Sequence, residues 1–128
     1  MRYLSEHKVN GLNETIDIAA VDEPGIGGAS HVYELSLSSP PGGAGITAVN
    51  GTTVLRFQNG AINEAGINGL TNEALIVVVL DRLRGFQSGQ FAGRDNAMAI
   101  THLEDALMRL QRRTRDRIAR GVEGLLKP

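Results

Sequence analysis

The sequence predicts an α+β fold in which a small N-terminal antiparallel β-sheet is followed by a C-terminal antiparallel helical hairpin. Two observations predict this class. The first half contains short stretches in which apolar and polar residues alternate, separated by turns rich in glycine and proline. Beyond Asn68-Gly69 the apolar residues recur at helical spacing, with one break near residues 85–89. We therefore expect a sheet subdomain over residues 1–69 and a helical hairpin over residues 70–128.

Three strands are expected in the sheet. They are predicted over residues 15–18, 31–37 and 52–57, which are rich in β-branched residues. The stretches 24–28 and 40–45 contain too much glycine and proline to continue a strand. Neither stretch has the spacing of a phosphate-binding loop, so both are interpreted as flexible loops. A sheet this small needs a helix or a second chain to cover one of its faces.

Two helices are expected in the second half. The first begins at Thr71, a residue suited to cap a helix, and continues to about Gly85. The second begins near Arg94 and ends at residue 119 or 120, because the following Gly121 is typical of helix ends. The first helix is apolar on nearly every side, which is more surface than a two-helix hairpin buries. We therefore predict that the chain assembles with copies of itself into a homo-oligomer.

The composition of the chain excludes several classes of protein. The 128 residues carry a net charge of −1, whereas a general nucleic-acid-binding domain is usually strongly basic. The absence of cysteine excludes disulfides and thiolate ligands or nucleophiles. The N-terminus does not resemble a signal peptide, and no apolar run is long enough to span a membrane. These features favour a cytoplasmic protein that binds neither membranes nor nucleic acid in general.

No group of residues has the spacing of a catalytic or metal site. His7, His31 and His102 are scattered and match no metal-binding motif. No nucleophile motif occurs, and none of the serines or aspartates has a recognisable catalytic signature. We therefore expect no metal, no cofactor and no enzymatic activity.

Positive charge is concentrated near the C-terminus. Residues 1–70 contain three Lys/Arg and seven Asp/Glu, whereas residues 71–128 contain ten and seven. On a helix, the 100° step places four arginines in one stripe, namely Arg109, Arg113, Arg117 and Arg120. Such a stripe is either a solvated face balanced by Asp105, Asp116 and Glu123, the commoner case, or a site for a phosphate-bearing ligand. Arginine instead of lysine favours the phosphate, because the planar guanidinium binds it through two hydrogen bonds.

Three other residues are candidates for contact with a base or sugar. Phe86 and Phe91 flank the predicted hairpin turn, where core packing is the simpler role and stacking on a base is the alternative. Asn96 is either a cap of the second helix or an amide that recognises a base or ribose. Asn96 and Arg113 lie 17 residues apart, which is about 25 Å along one helix. If both contact one small ligand, the pocket must lie between antiparallel copies of the hairpin.

Four segments, taken together, resemble a known family. They are residues 56–60 (RFQNG), 68–75 (NGLTNEAL), 81–89 (DRLRGFQSG) and 113–124 (RTRDRIARGVEG). In this order they resemble the first-described Thoeris anti-defence family of bacteriophage sponge proteins, whose C-terminal hairpin is shared with an anti-CBASS sponge family. The resemblance covers residues 52–128, and the first part of the chain matches only in general character.

The resemblance implies a non-catalytic protein that sequesters cyclic nucleotide immune signals. Its ligands would be chiefly glycocyclic ADP-ribose, the messenger of Thoeris defence, and also the cyclic di- and trinucleotides of CBASS. It implies an N-terminal antiparallel sheet, a helical hairpin and a homo-oligomer, typically a hexamer, acting in the cytoplasm of the infected bacterial host.

The resemblance also assigns residues to the ligand. Phe86 would stack on the adenine, and Asn96 would hydrogen-bond to the base or sugar. Arg113 and Arg117 would hold the pyrophosphate, and helix geometry adds Arg109 beside them. A second cyclic-nucleotide site would lie where several protomers meet, at Arg120-Gly121-Val122-Glu123-Gly124.

Two other functions stay open at this point. One is an oligomeric hairpin module or phage accessory protein that docks a protein or nucleic acid through its basic helix. Its many phosphate contacts would make binding fall steeply with salt, unlike binding in a one-nucleotide pocket. The other is an enzyme that cleaves the cyclic signal, and the missing catalytic groups count against it.

Overall fold

The computed structural model describes residues 1–38 and 51–128, which form two compact units, Met1–Asn59 and Gly60–Pro128. The first unit contains a four-stranded antiparallel sheet and the second contains a helical hairpin, so the predicted α+β class is confirmed. Residues 60–69, which the sequence analysis groups with the sheet, lie in the second unit. The loop expected over residues 40–45 lies outside the described residues.

The sheet of the first unit is an antiparallel meander. Its strands, in spatial as well as chain order, are β1 (Arg2–Leu4), β2 (Ile16–Ala20), β3 (Val32–Leu37) and β4 (Gly51–Arg56). The β3–β4 ladder runs from Val32 opposite Arg56 to Leu37 opposite Gly51. Strands β2 to β4 correspond to the three predicted strands. β1 was not predicted, because three residues are too few to show an alternating pattern.

The packing of the sheet unit includes two buried alanines and a half-buried aromatic pair. Ala19 and Ala20, at the end of β2, are buried. The rings of Tyr33 and Phe57 pack edge to face, with their centroids 5.7 Å apart and their planes at 87°. This is a favourable arrangement for aromatic pairs, because the positive edge of one ring meets the negative face of the other.

The connection between β2 and β3 is closed by Asp22. Its carboxylate accepts hydrogen bonds from the backbone N–H groups of Val32, at 3.0 Å, and His31, at 2.9 Å. These donors, that of Val32 most of all, favour the charged carboxylate and hold the pKa of Asp22 below its ordinary value. Backbone hydrogen bonds also close the turn over residues 25–29. The stretch 24–28, expected to be a flexible loop, therefore lies in a hydrogen-bonded connection.

Two short helices were not predicted, because four residues are too few to show a helical period. The first, α1 (Gly11–Glu14), begins at Asn10, whose side chain accepts a hydrogen bond from the Asn13 N–H at 3.1 Å. The second, α2 (Ile62–Ala65), lies in the helical unit.

The hairpin consists of α3 (Asn72–Gln87) and α4 (Arg94–Ala119), close to the predicted bounds. As predicted, Thr71 caps α3, and its hydroxyl oxygen accepts a hydrogen bond from the Ala74 N–H at 3.2 Å. α3 continues through Gly85 to Gln87. A single helical glycine costs only about 1 kcal/mol relative to alanine, which is too little to end a helix by itself.

One side of α3 packs in the hairpin and the other remains apolar and exposed. Leu80 is fully buried, and the Arg84 guanidinium pairs with the Glu104 carboxylate of α4 at 2.9 Å. By contrast, Val77, Val78 and Val79 are each between 45% and 58% exposed. A single hairpin therefore leaves apolar surface on α3 uncovered, as the sequence indicated.

Candidate functional site

Phe86 lies in the last turn of α3, at the end of the hairpin where the chain turns towards α4. Its ring is 44% exposed, and that of Phe91, in the turn itself, is 68% exposed. The interpretation of these rings as hairpin core is therefore wrong. Phe86 is displaced by about 60° around the helix from the half-buried Leu83, which turns its ring away from the packed face. An aromatic surface is thus displayed at this end of the hairpin.

Asn96 reaches back from the first turn of α4 to the hairpin turn. Its Nδ2 donates a hydrogen bond to the carbonyl oxygen of Phe91 at 3.2 Å. The N-cap of α4 is Gly93, whose N–H donates to Oε1 of Gln87 at 3.0 Å. Asn96 is therefore not the N-cap, which corrects one of its two interpretations. Within the described parts of the chain its amide oxygen has no donor, so it can accept a hydrogen bond from a base or sugar.

Arg82, which was not among the predicted site residues, places a cation over the Phe86 ring. Its guanidinium carbon lies 5.6 Å from the ring centroid, within the range of a cation–π contact. Residues four apart on a helix share one face, so the spacing of Arg82 and Phe86 was a signal that could have found the pair.

The four arginines of the stripe differ in how their charge is compensated. Arg113 is exposed and makes no hydrogen bond or ion pair within residues 1–38 and 51–128. Each of the other three arginines forms an ion pair with a carboxylate. The N···O distances are 3.9 Å for Arg109–Asp105, 3.0 Å for Arg120–Asp116 and 3.5 Å for Arg117–Glu123. The solvated-face interpretation therefore describes part of the stripe, and Arg113 is the member whose donors are open to an anion.

Arg117 is buried, with 8% of its surface exposed, and its guanidinium holds the C-terminal residues against the helix end. It donates hydrogen bonds to the carbonyl oxygens of Val122, at 2.9 Å, Leu125, at 3.0 Å, and Lys127. On the helix it lies about 20° from the half-buried Leu110, on the same side of α4, which is consistent with its burial. Its role in holding a pyrophosphate stays a prediction, and backbone carbonyls occupy its donors in this structure.

The turn proposed as a second site, residues 120–124, is an ordered helix end. Gly121 has a φ of 72°, the left-handed conformation that glycine adopts without a steric penalty. The Gly121 N–H donates to the carbonyl oxygen of Ile118, and the Val122 N–H donates to that of Arg117, both at 3.0 Å. This pair of hydrogen bonds is the Schellman motif, so the predicted helix stop at Gly121 is confirmed.

Helix α2 borders the same turn. The Asn63 N–H donates to the carbonyl oxygen of Gly124 at 3.3 Å. The Asn63 side chain lies 3.3 Å from the position that a Cβ on Gly124 would occupy. Asn63 was not among the predicted site residues, because no local spacing reveals a contact between residues so far apart in the chain.

A shallow, open depression of about 290 Å³ lies on one face of α4. It is lined by Arg94, Ala97, Met98, Thr101 and His102. None of the predicted ligand residues lines it, so the depression does not coincide with the candidate site.

The described residues show no metal site and no membrane helix. Within residues 1–38 and 51–128, no three His, Cys, Asp or Glu side chains are placed to hold a metal ion. None of the helices in these ranges is long and apolar enough to cross a membrane.

The candidate residues fall at opposite ends of the hairpin. Arg82, Phe86 and Asn96 lie near the turn, whereas Arg113 lies near the C-terminal end. Because α4 is continuous, Asn96 and Arg113 are about 25 Å apart along its axis. The chain therefore carries the candidate residues in two separate groups, termed here the aromatic half-site and the basic half-site.

Comparison with known families identifies the hairpin. Residues 52–115, half of the chain, match the model of the Acb2/Tad1 hairpin domain. The chain belongs to the Acb2/Tad1 hairpin family. The matched region includes Phe86, Asn96 and Arg113, and it ends before Arg117 and the turn over residues 120–124. The family predicted from the sequence is thereby confirmed.

A relative from a bacteriophage is similar to part of this chain. The protein named Thoeris anti-defense 1, from Bacillus phage SBSphiJ7, is 54% identical to it over 70 residues. The alignment includes 55% of this chain and 49% of the relative, so the chain spans about half the length of that protein.

Proposed function

We propose that this Acb2/Tad1 hairpin protein is a non-catalytic phage anti-defence protein that sequesters a cyclic nucleotide immune signal. The family match and the name of the 54% identical relative support an anti-defence role. The hairpin supplies groups that suit a nucleotide, namely an exposed ring, an amide and an open guanidinium. The proposed ligand is chiefly glycocyclic ADP-ribose, with CBASS cyclic di- and trinucleotides as further ligands.

In this proposal each part of the ligand meets a matching side chain. The Phe86 ring stacks on the adenine, and the Asn96 amide hydrogen-bonds to the base or sugar. Arg113, with Arg109 near it, binds the pyrophosphate through charge-assisted hydrogen bonds. The uncompensated guanidinium of Arg113 is the observation that carries the proposal. Arg117 adds positive charge and keeps the helix end beside Arg113 in place.

A second copy of the chain completes the proposed site. The 25 Å that separates the half-sites, about 17 residues of helix, is too long for one small nucleotide. Antiparallel packing of two copies would bring Asn96 of one protomer towards Arg113 of another. The exposed valines 77–79 of α3 offer apolar surface for self-association. The proposed assembly is a homo-oligomer, and the family resemblance favours a hexamer.

The turn over residues 120–124 is proposed as a second site, for cyclic trinucleotides. Arg120 supplies positive charge there, although its guanidinium also bonds to Asp116 and to the carbonyl oxygen of Pro128. The bordering Asn63 adds an amide. Sequestration at either site requires no bond to be made or broken, and its proposed place of action is the cytoplasm of the infected bacterium.

Calorimetric titration of the purified full chain tests the proposal. The titrants are glycocyclic ADP-ribose, cyclic di-AMP and a cyclic tri-adenylate, followed by heat denaturation and chromatography of the released ligand. The expected result is a Kd below about 1 μM for at least one of them, with the ligand recovered unaltered. A cleaved product would indicate an enzyme instead.

The salt dependence of binding separates a sponge from a docking module. We expect affinity for the small ligand to fall only slightly as salt rises from 50 to 200 mM, because few phosphates are contacted. The docking module would be favoured by a different result. In that case the chain would bind a DNA duplex with an affinity that falls steeply over the same salt range, and it would bind none of the cyclic nucleotides.

A further inference from the structure

The outer side of α4 carries residues that recur at alternating steps of four and three. They are all exposed and form what we term the heptad stripe, namely Arg94, Met98, Thr101, Asp105, Met108 and Arg112. The half-buried Leu103 and Leu110 lie about 180° around the helix from it. Alternating steps of four and three are the spacing by which one helix packs along another. The heptad stripe therefore suits contact with a helix that the hairpin itself does not provide.

The open depression on α4 lies in the heptad stripe. It is lined by Arg94, Ala97, Met98, Thr101 and His102. The first four stand at i, i+3, i+4 and i+7, which are the positions that form a hole for one side chain of a facing helix. The space arises because Ala97 and Thr101 are small and lie between longer side chains. The depression thus has the form of a helix–helix contact that lacks its second helix.

The charges along the heptad stripe favour a second copy of the chain as that helix. Arg94 makes no hydrogen bond or ion pair among the described residues. Asp105 is exposed, and its ion pair with Arg109 is long, at 3.9 Å. In an antiparallel pair of copies with Arg94 opposite Asp105, this ion pair forms twice, because a two-fold contact repeats every pairing. A shift by one heptad would instead place Arg94 opposite Arg112, and the two cations would repel each other.

We propose that residues 94–105 of α4 bind the same residues of a second copy of this chain in an antiparallel, two-fold contact. Arg94 of each copy pairs with Asp105 of the other. Met98 of each copy packs beside Thr101 of the other and fills its depression, which suits the flexible side chain of methionine.

This contact is separate from the proposed ligand site and from the exposed valines of α3. Phe86 and Arg113 lie outside residues 94–105, and Asn96 lies about 160° around the helix from the heptad stripe. A chain that has two different surfaces for self-association can form an assembly larger than a dimer. The inference goes beyond the proposed function and does not depend on nucleotide binding.

Charge exchange tests the pairing, with the molar mass of the purified full chain measured by light scattering. Arg94→Glu and Asp105→Arg each place like charges opposite one another, so each should lower the molar mass. The dissociation constant of the contact should rise at least about 10-fold in each. Combining the two substitutions restores opposite charges and should restore the wild-type mass. Arg112→Glu reverses a charge of the same stripe outside the contact and should leave the mass unchanged.

The absence of cysteine from the chain permits a second, independent test. In the proposed contact the Thr101 positions of the two copies face each other about 4.5 Å apart along the helix axis, which is within reach of a disulfide. Thr101→Cys should therefore form a covalent dimer when treated with oxidised glutathione. Arg115→Cys, at an exposed position of α4 outside residues 94–105, should not. Circular dichroism should show the wild-type helical content in every variant, since all these positions are exposed.

The outcomes separate this inference from the proposed function. Wild-type mass in both single charge variants, or failure of the combined variant to regain that mass, would overturn the antiparallel contact. Equal crosslinking of Thr101→Cys and Arg115→Cys would indicate chance collision and would also overturn it. None of these results bears on nucleotide binding. A chain that passes the charge exchange and binds no cyclic nucleotide would overturn the proposed function alone.

Discussion

Arg113 and Arg117 lie one helical turn apart in the same stripe, yet their guanidiniums have opposite surroundings. Arg113 is exposed and uncompensated among the described residues. Arg117 is buried and bonded to three carbonyl oxygens. A rotation of about 40° around the helix axis places Arg117 on the side of α4 that carries the half-buried Leu110. Substitutions of the two residues should therefore separate ligand binding from stability.

Arg113→Ala should abolish capture of glycocyclic ADP-ribose and leave the fold and the oligomer intact. Hydrogen bonds to a charged group contribute about 1.5–3 kcal/mol, so affinity should fall by at least about 10- to 100-fold. The free energy of unfolding should change by less than about 0.5 kcal/mol, as is usual for exposed positions. Calorimetry and urea denaturation measure the two effects. Arg112→Ala is the matched control, and an equal loss of affinity there would indicate a general charge effect.

Arg117→Ala should lower the free energy of unfolding by about 2–3 kcal/mol, because the C-terminal carbonyl groups lose a charged donor. Urea denaturation measures the change, with Arg115→Ala as the control at an exposed position of the same helix. If Arg117→Ala abolished ligand binding without loss of stability, Arg117 would be a ligand residue like Arg113, and its bonds to the C-terminal residues would matter little to the fold.

At the scale of elements, the β2–β3 connection depends on one carboxylate. The backbone N–H groups of Val32 and His31 lower the pKa of Asp22 in the folded state. The stability that this contributes is complete above the unfolded pKa of about 3.9, and it is lost as pH falls through the lower folded pKa. Asp22→Asn should therefore lower the melting temperature at pH 7.

The pH dependence of that variant is the sharper test. Melting temperatures between pH 2 and 7 should show the gap between wild type and Asp22→Asn narrowing below about pH 4, where the wild-type carboxylate becomes protonated. Glu23→Gln, at the adjacent exposed acid, should show no such gap. A gap of constant size at every pH would mean that Asp22 acts through its shape and not through its charge.

At the scale of the whole molecule, the exposed apolar surface of α3 predicts self-association. Val78 is 58% exposed, and a charge at that position would be buried without a counterion in an oligomer. Val78→Glu should therefore reduce the molar mass measured by light scattering, whereas Gln111→Glu, a polar exposed control, should not.

Ligand binding should fall together with assembly. Because the proposed site takes its aromatic and basic halves from different copies, Val78→Glu should also weaken capture of glycocyclic ADP-ribose. A monomeric variant that binds with wild-type affinity would place the whole site within one chain. A wild-type protein that is monomeric at micromolar concentration would contradict the predicted assembly itself.

Some features could be predicted from the sequence because they depend on residues that are close together in the chain. The α+β class, the cap at Thr71 and the stop at Gly121 follow from local periodicity and local hydrogen bonding. The arginine stripe was also visible, because the helical step is constant. The short elements β1, α1 and α2 were missed, since three or four residues carry too little pattern.

The fold class, the hairpin and the family therefore follow from the amino-acid sequence. Tertiary packing determines which side chains in the hairpin remain open to a ligand. It exposed Phe86, set Arg82 beside it and occupied Arg117 with the C-terminal carbonyls while leaving Arg113 uncompensated. The physical reason is that secondary structure arises from contacts within a few residues. The burial and pairing of a side chain depend also on how the rest of the chain packs around it.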